Sequence, residues 1–133
     1  MYANQDAELF VVPVGSASGA GTSIRLAAND PVACSNKTSP GVNNHYARWA
    51  PNAPSFNGTK YYWLIYGSYR AGLPPVNSKY DGTSHLISQL YATAVTVKDG
   101  VYKTYKSIYL WWQPTVTTNL TPVWDNLRIP PSN

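Results

Sequence analysis

The chain has 133 residues, of which 44% are hydrophobic and 12% charged, against about 25% charged in average globular proteins. That length and composition fit one domain with its own core and exclude highly charged disorder. The net charge is +4, and Cys34 is the lone cysteine, so an internal disulfide and a cysteine zinc cluster are both excluded.

The small residue set favours β-structure. Glu8 is the one glutamate, and Ser, Thr, Asn and Tyr stand where helical proteins carry Glu, Lys and Ala. Eleven prolines and nine glycines punctuate the chain. The first strand is predicted over residues 8–14, with Pro13 marking an edge or an end. Residues 15–22 form a Gly/Ser/Ala segment expected to be flexible, and residues 23–28 a second short strand. Residues 31–58 read as a long irregular loop region, with His45–Trp49 as the best hidden strand inside it.

The clearest signals follow. Asn57-Gly58 favours a tight hairpin turn, and residues 60–70 (KYYWLIYGSYR) are apolar on both alternating faces, as in a central strand. Residues 71–83 read as a loop. Two periodic runs then flank Asp99-Gly100, predicting a second hairpin with Lys98 opposite Val101, Val95 opposite Thr104 and Tyr91 opposite Ile108. That register places Tyr91, Val95, Val97, Tyr102, Ile108, Leu110 and Trp112 on the core face. It places Lys98, Lys103, Tyr105, Tyr109 and Trp111 on the other. Residues 115–118 and 123–129 supply one or two last strands. The whole predicts a single domain over 1–133: an all-β, antiparallel β-sandwich or jelly roll of about seven or eight strands, with no long helix.

Chemistry is sparse. No H-x-H, H-E-x-x-H or C-x-x-C spacing occurs, so no metal site is expected. No G-x-S-x-G elbow appears, although His45 or His85 with a serine remains a spatial question. Asp81 and Asp99 precede glycines and read as turn residues, which leaves few carboxylates for a hydrolase. The three N-x-T triplets at Asn36, Asn57 and Asn119 are of the kind that chance supplies in an Asn/Thr-rich chain. No catalytic residue and no cofactor is expected.

The informative residues are aromatic: eleven Tyr and five Trp against two Phe. Tyr105, Tyr109 and Trp111 recur with period two, and Trp and Tyr are favoured anchors at subunit contacts. The first expectation is a non-enzymatic structural or assembly subunit, such as a viral or phage capsid, projection, fibre or decoration domain. It would self-associate through Tyr/Trp-rich faces and work on a virion or extracellular surface. The flexible 15–21 segment would let an N-terminal strand add to a neighbour. The second expectation is a carbohydrate-binding, lectin-like module, reaching a glycan or cell-surface receptor through Trp49, Arg48, Asn43 and Asn44 beside Trp111. A small hydrolase is third. The ten cations are spread along the sequence, which argues against nucleic acid as the main partner. No run of about 18 apolar residues predicts a membrane-spanning helix, and no basic-apolar start predicts a signal peptide.

Overall fold

The structure is a computed structural model that describes residues 7–14, 21–33, 44–69, 88–114, 118–119 and 121–124. These residues form eight strands: β1 (Phe10–Val11), β2 (Ile24–Arg25), β3 (Asn44–Trp49), β4 (Ser55–Phe56), β5 (Thr59–Ser68), β6 (Gln89–Lys98), β7 (Val101–Thr104) and β8 (Ile108–Tyr109). The only helical element among them is a three-residue 3-10 turn, Ala27–Asn29. The fold is all-β, with two antiparallel sheets. β1 and β2 form a small ribbon, and the other six strands form one sheet with β5 and β6 at its centre. β3 and β4 lie along the free side of β5, while β7 and β8 lie along the free side of β6.

Both Xaa-Gly turns close as their sequence dictates. Asn57 and Gly58 have φ of 47° and 73°, and Asp99 and Gly100 have 51° and 77°. Two successive left-handed residues twist a two-residue loop to match the strands on either side. Asn and Asp tolerate that region, and glycine enters it freely. The turns set Phe56 opposite Thr59 and Lys98 opposite Val101. β3 lies inside the stretch expected to be irregular, at the one segment singled out there. Residues 15–20, the whole loop expected at 71–83, and residues 115–117 and 125–129 of the last expected strands lie outside the described residues, and Thr118 and Thr121–Trp124 are not in strands.

Parity along β5 and β6 defines an inner and an outer face of the sheet. Leu64 and Tyr66 of β5, Tyr91 and Val95 of β6 and Tyr109 of β8 point inward, where they pack with Leu26, Ala28 and Val32 into one core. The ribbon and the 3-10 turn cover this inner face. Each such side chain removed from water contributes about 1.5–3 kcal/mol.

Asn29 ties the ribbon down. Asn29 Oδ1 accepts the Leu9 N–H at 2.8 Å, and its Nδ2 donates to the Leu9 carbonyl at 2.9 Å. The carboxamide thus replaces a neighbouring strand. Asn29 Oδ1 also accepts from Asn44 Nδ2 at 2.9 Å, linking ribbon and sheet. Arg25 adds an exposed clasp, pairing with Glu8 at 2.6 Å and Asp30 at 2.9 Å. The N-terminal segment expected to reach a neighbour is therefore folded onto its own sheet.

Candidate functional site

The outer face of the sheet carries a trough along β6. Its floor is Ala92 and Ala94, too small to fill the space between the flanking strands. Tyr61 and Trp63 of β5 wall one side, and Tyr105 and Ile108 wall the other. The space amounts to about 310 Å³ and is bordered by Thr96 and Lys106. Trp63 is 40% exposed and Tyr105 38%. The Tyr105 hydroxyl lies 3.4 Å from Thr96 Oγ1, and Lys103 Nζ sits 5.2 Å from the Tyr105 ring centre. This small-floor, aromatic-wall arrangement suits a flat guest.

The register expected for the second hairpin holds from Lys98–Val101 to Val95–Thr104 and then changes by one. Tyr91 faces Tyr109, and Ala92 faces Ile108. One extra residue between Tyr105 and Ile108 reverses the parity, as a β-bulge does. Ser107 anchors this bulge: its side chain is buried against the Tyr66 hydroxyl and the Ala28 carbonyl, and its own carbonyl accepts from Ala33 N–H at 2.8 Å. Two expectations are corrected in consequence. Tyr109, expected on the exposed face, is 5% exposed and belongs to the core, its hydroxyl donating to Gln89 Oε1 at 3.0 Å. Burial pushes its phenol pKa up. Ile108, expected in the core, lies on the outer wall. Tyr102, also assigned to the core, points inward but remains 38% exposed.

Trp111 and Trp112 were expected in a strand, one on each face. The strand ends at Tyr109, and both indoles instead occupy a turn, 60% and 93% exposed. Trp111 rests edge-on against Tyr109 at 5.0 Å. The turn is held by Gln113, whose Oε1 accepts the Leu90 N–H at 2.6 Å and whose Nε2 donates to the carbonyls of Leu90 and Leu110. Asn119 locks Gln113 in turn, donating to its Oε1 at 3.2 Å and to the Pro114 carbonyl at 2.9 Å. The two most exposed tryptophans thus stand on a braced turn.

A second groove lies at the opposite end of the molecule, on the inner side. Val11–Val14 of the ribbon overhang Trp49, Tyr62, Val95 and Tyr102, enclosing about 420 Å³. The Trp49 and Tyr62 rings meet edge-to-face at 6.3 Å, and Lys60 Nζ lies 5.4 Å from the Tyr62 ring. The grouping expected for a glycan is not assembled. Trp49 pairs with Leu64 and Arg48 with Ile65, so they face opposite sides of the sheet. Asn44 is buried on Asn29, and Trp111 lies at the far edge. Asn43, Cys34 and His85 lie outside the described residues.

The fold does bring one histidine to a serine. His45 Nε2 lies 2.9 Å from Ser88 Oγ, and the ring leans on Tyr69 at 4.7 Å with the planes 35° apart. Gly67 makes the room: a Cβ there would stand 2.7 Å from His45 Nε2. Ser88 has no exposed surface, so the pair ties β3 to the end of β6 and presents no nucleophile. Tyr46 beside it adopts φ 52° where two residues of β3 oppose one of β5. Among the described residues no three His, Cys, Asp or Glu side chains cluster as metal ligands, and no helix is long and apolar enough to cross a membrane. Neither a protein-family model, nor a curated protein, nor a solved structure matches this chain.

Proposed function

We propose that this protein is a structural subunit that self-associates head to tail, the Trp111–Trp112 turn of one copy entering the Val11–Val14 groove of the next. The exposure of two adjacent indoles on a braced turn carries this reading. Tryptophan is the strongest anchor at protein contacts, and bracing removes the ordering cost of the turn before contact. The groove supplies an aromatic and aliphatic socket of about 420 Å³, ample for one indole.

Knob and socket cannot meet within one chain. Gln113 fixes the turn beside Leu90, whereas the socket lies beside Val95 and Tyr102, which pairs with Val97. Seven residues along β6 span roughly 23 Å at about 3.3 Å each. A knob and a socket at opposite ends form a heterologous contact, which closes into rings or shells or propagates as a fibre. Capsid, projection, fibre and decoration subunits of a virion are of this class, and that is the setting we propose.

Light scattering across a hundredfold concentration range tests the reading. Trp112→Ala should cost about 2 kcal/mol of association, roughly thirtyfold, without loss of folding. Val12→Glu should block the socket. Mixed together, the two blocked chains should form a capped one-to-one complex, since one retains the socket and the other the knob. A wild-type chain monomeric at every concentration overturns the proposal, as does assembly that neither substitution weakens. The alternative, a carbohydrate-binding module, would use the Trp63 and Tyr105 walls as stacking faces for sugar rings. A glycan array tests it.

A further inference from the structure

We propose that the outer face of the sheet binds single-stranded nucleic acid, with bases stacked in the trough between Trp63 and Tyr105 and phosphates held by Arg48, Lys103 and Lys106. The cations that look scattered in sequence are gathered by the fold. Arg48 pairs with Ile65, beside the Trp63 wall, and Lys103 pairs with Thr96, beside the Tyr105 wall. Lys106 borders the trough itself. All three residues are exposed. Positive charge therefore flanks an aromatic trough on both sides.

Among the described residues negative charge is kept elsewhere. The carboxylates among the described residues are Glu8, Asp30 and Asp99. The first two pair with Arg25 at the ribbon, and Asp99 forms the β6–β7 turn. No described carboxylate shares the outer face with the three cations. Paired aromatic walls inside a basic groove are what single strands require, because every base has a π-face and every linkage a phosphate. The Lys103 ammonium beside the Tyr105 ring places charge next to a stacking surface. A sheet-face platform of this kind takes two or three bases.

The same features select against other occupants. A second copy docking face to face would oppose like charges. A neutral sugar carries no charge to meet the cations that flank the trough. A duplex keeps its bases stacked inside, out of reach of Trp63 and Tyr105. The proposal is independent of head-to-tail assembly, since the Trp111–Trp112 turn and the socket lie outside the trough.

Fluorescence anisotropy with labelled oligo(dT) and oligo(U) of about 12 nucleotides, a length within the site sizes of such platforms, tests it. The Trp112→Ala chain serves as host, so that assembly does not contribute. Saturable binding should weaken between about 50 and 200 mM salt, as counterion release demands. Trp63→Leu and Tyr105→Leu should each weaken binding roughly tenfold, whereas Trp63→Phe should retain most of it. Lys103→Gln and Lys106→Gln should each lower the logarithmic salt slope by about 0.7. Circular dichroism of every variant separates lost binding from lost folding, and the two lysine variants sit on exposed positions. Saturable, salt-dependent binding of either oligonucleotide supports the proposal. Duplex bound as tightly as single strand overturns the proposal. So does unchanged affinity in folded Trp63→Leu and Tyr105→Leu, or no saturation at the lowest salt.

Discussion

The two faces of the β5–β6 pair both carry aromatic side chains and have opposite fates. Inward, Tyr66 stacks on Tyr91 at 5.8 Å and Tyr91 meets Tyr109 edge-on at 5.6 Å. The hydroxyls of Tyr66 and Tyr109 are spent on Ala28, Ser107 and Gln89. Outward, Tyr61, Trp63 and Tyr105 stand around an alanine floor and keep their rings accessible. What separates them is the ribbon, which covers one face and not the other. Aromatic residues in a strand thus become core where a second layer supplies hydrogen-bond partners, and stay accessible on a face that the ribbon leaves open.

The largest expected difference between the faces is in stability. Tyr91→Ala opens a cavity in the middle of the inner stack and should cost about 3–5 kcal/mol. Tyr105→Ala, on the outer wall, should cost no more than about 1 kcal/mol. Urea midpoints of the two variants measure the contrast, and equal losses would mean that the outer wall is as much core as the inner one. The His45 end is where the outer face is tightly packed, so Gly67→Ala should cost about 1–3 kcal/mol through overpacking against the imidazole. Combining it with His45→Ala should recover most of the loss in a double-mutant cycle.

Much of this contrast is legible in the residues, and its exceptions have local causes. Asn57-Gly58 and Asp99-Gly100 announce their turns, because few other pairs accept two left-handed residues in a row. The apolar character of both faces of β5 announces a central strand, and Leu64–Ser68 are all buried. The face of Tyr109 is not legible, because alternation cannot reveal one extra residue at Lys106-Ser107, and the bulge depends on Ser107 finding Tyr66 and Ala28 across the core. Nor is the basic outer face legible, since Arg48 joins Lys103 and Lys106 there through pairing of β3 with β5. The Trp111–Trp112 turn looks like strand because its restraint comes from Gln113 and Asn119 side chains, which no period encodes.

The two fastenings of the ribbon differ by burial, and this sets the smallest effects. Asn29→Ala removes three hydrogen bonds and leaves the half-buried Leu9 N–H unpartnered, while the Leu9 carbonyl keeps the Leu26 N–H, so it should cost about 2 kcal/mol. The Arg25 clasp is exposed and should be worth less than about 1 kcal/mol. Its signature is its pH dependence. The Arg25 side chain, bonding to Glu8, lowers the Glu8 carboxyl pKa below its ordinary value of about 4.3. A lowered folded-state pKa means that the unfolded chain binds the proton first. The contribution is therefore fully present above about pH 4.3 and disappears as pH falls through the folded value. Thermal unfolding of wild type and Glu8→Gln should give midpoints that differ slightly at neutral pH and converge as pH falls below the lowered folded-state value, where Glu8 is protonated in both states. A gap that widens on acidification would show that Glu8 acts through something other than its charge on Arg25.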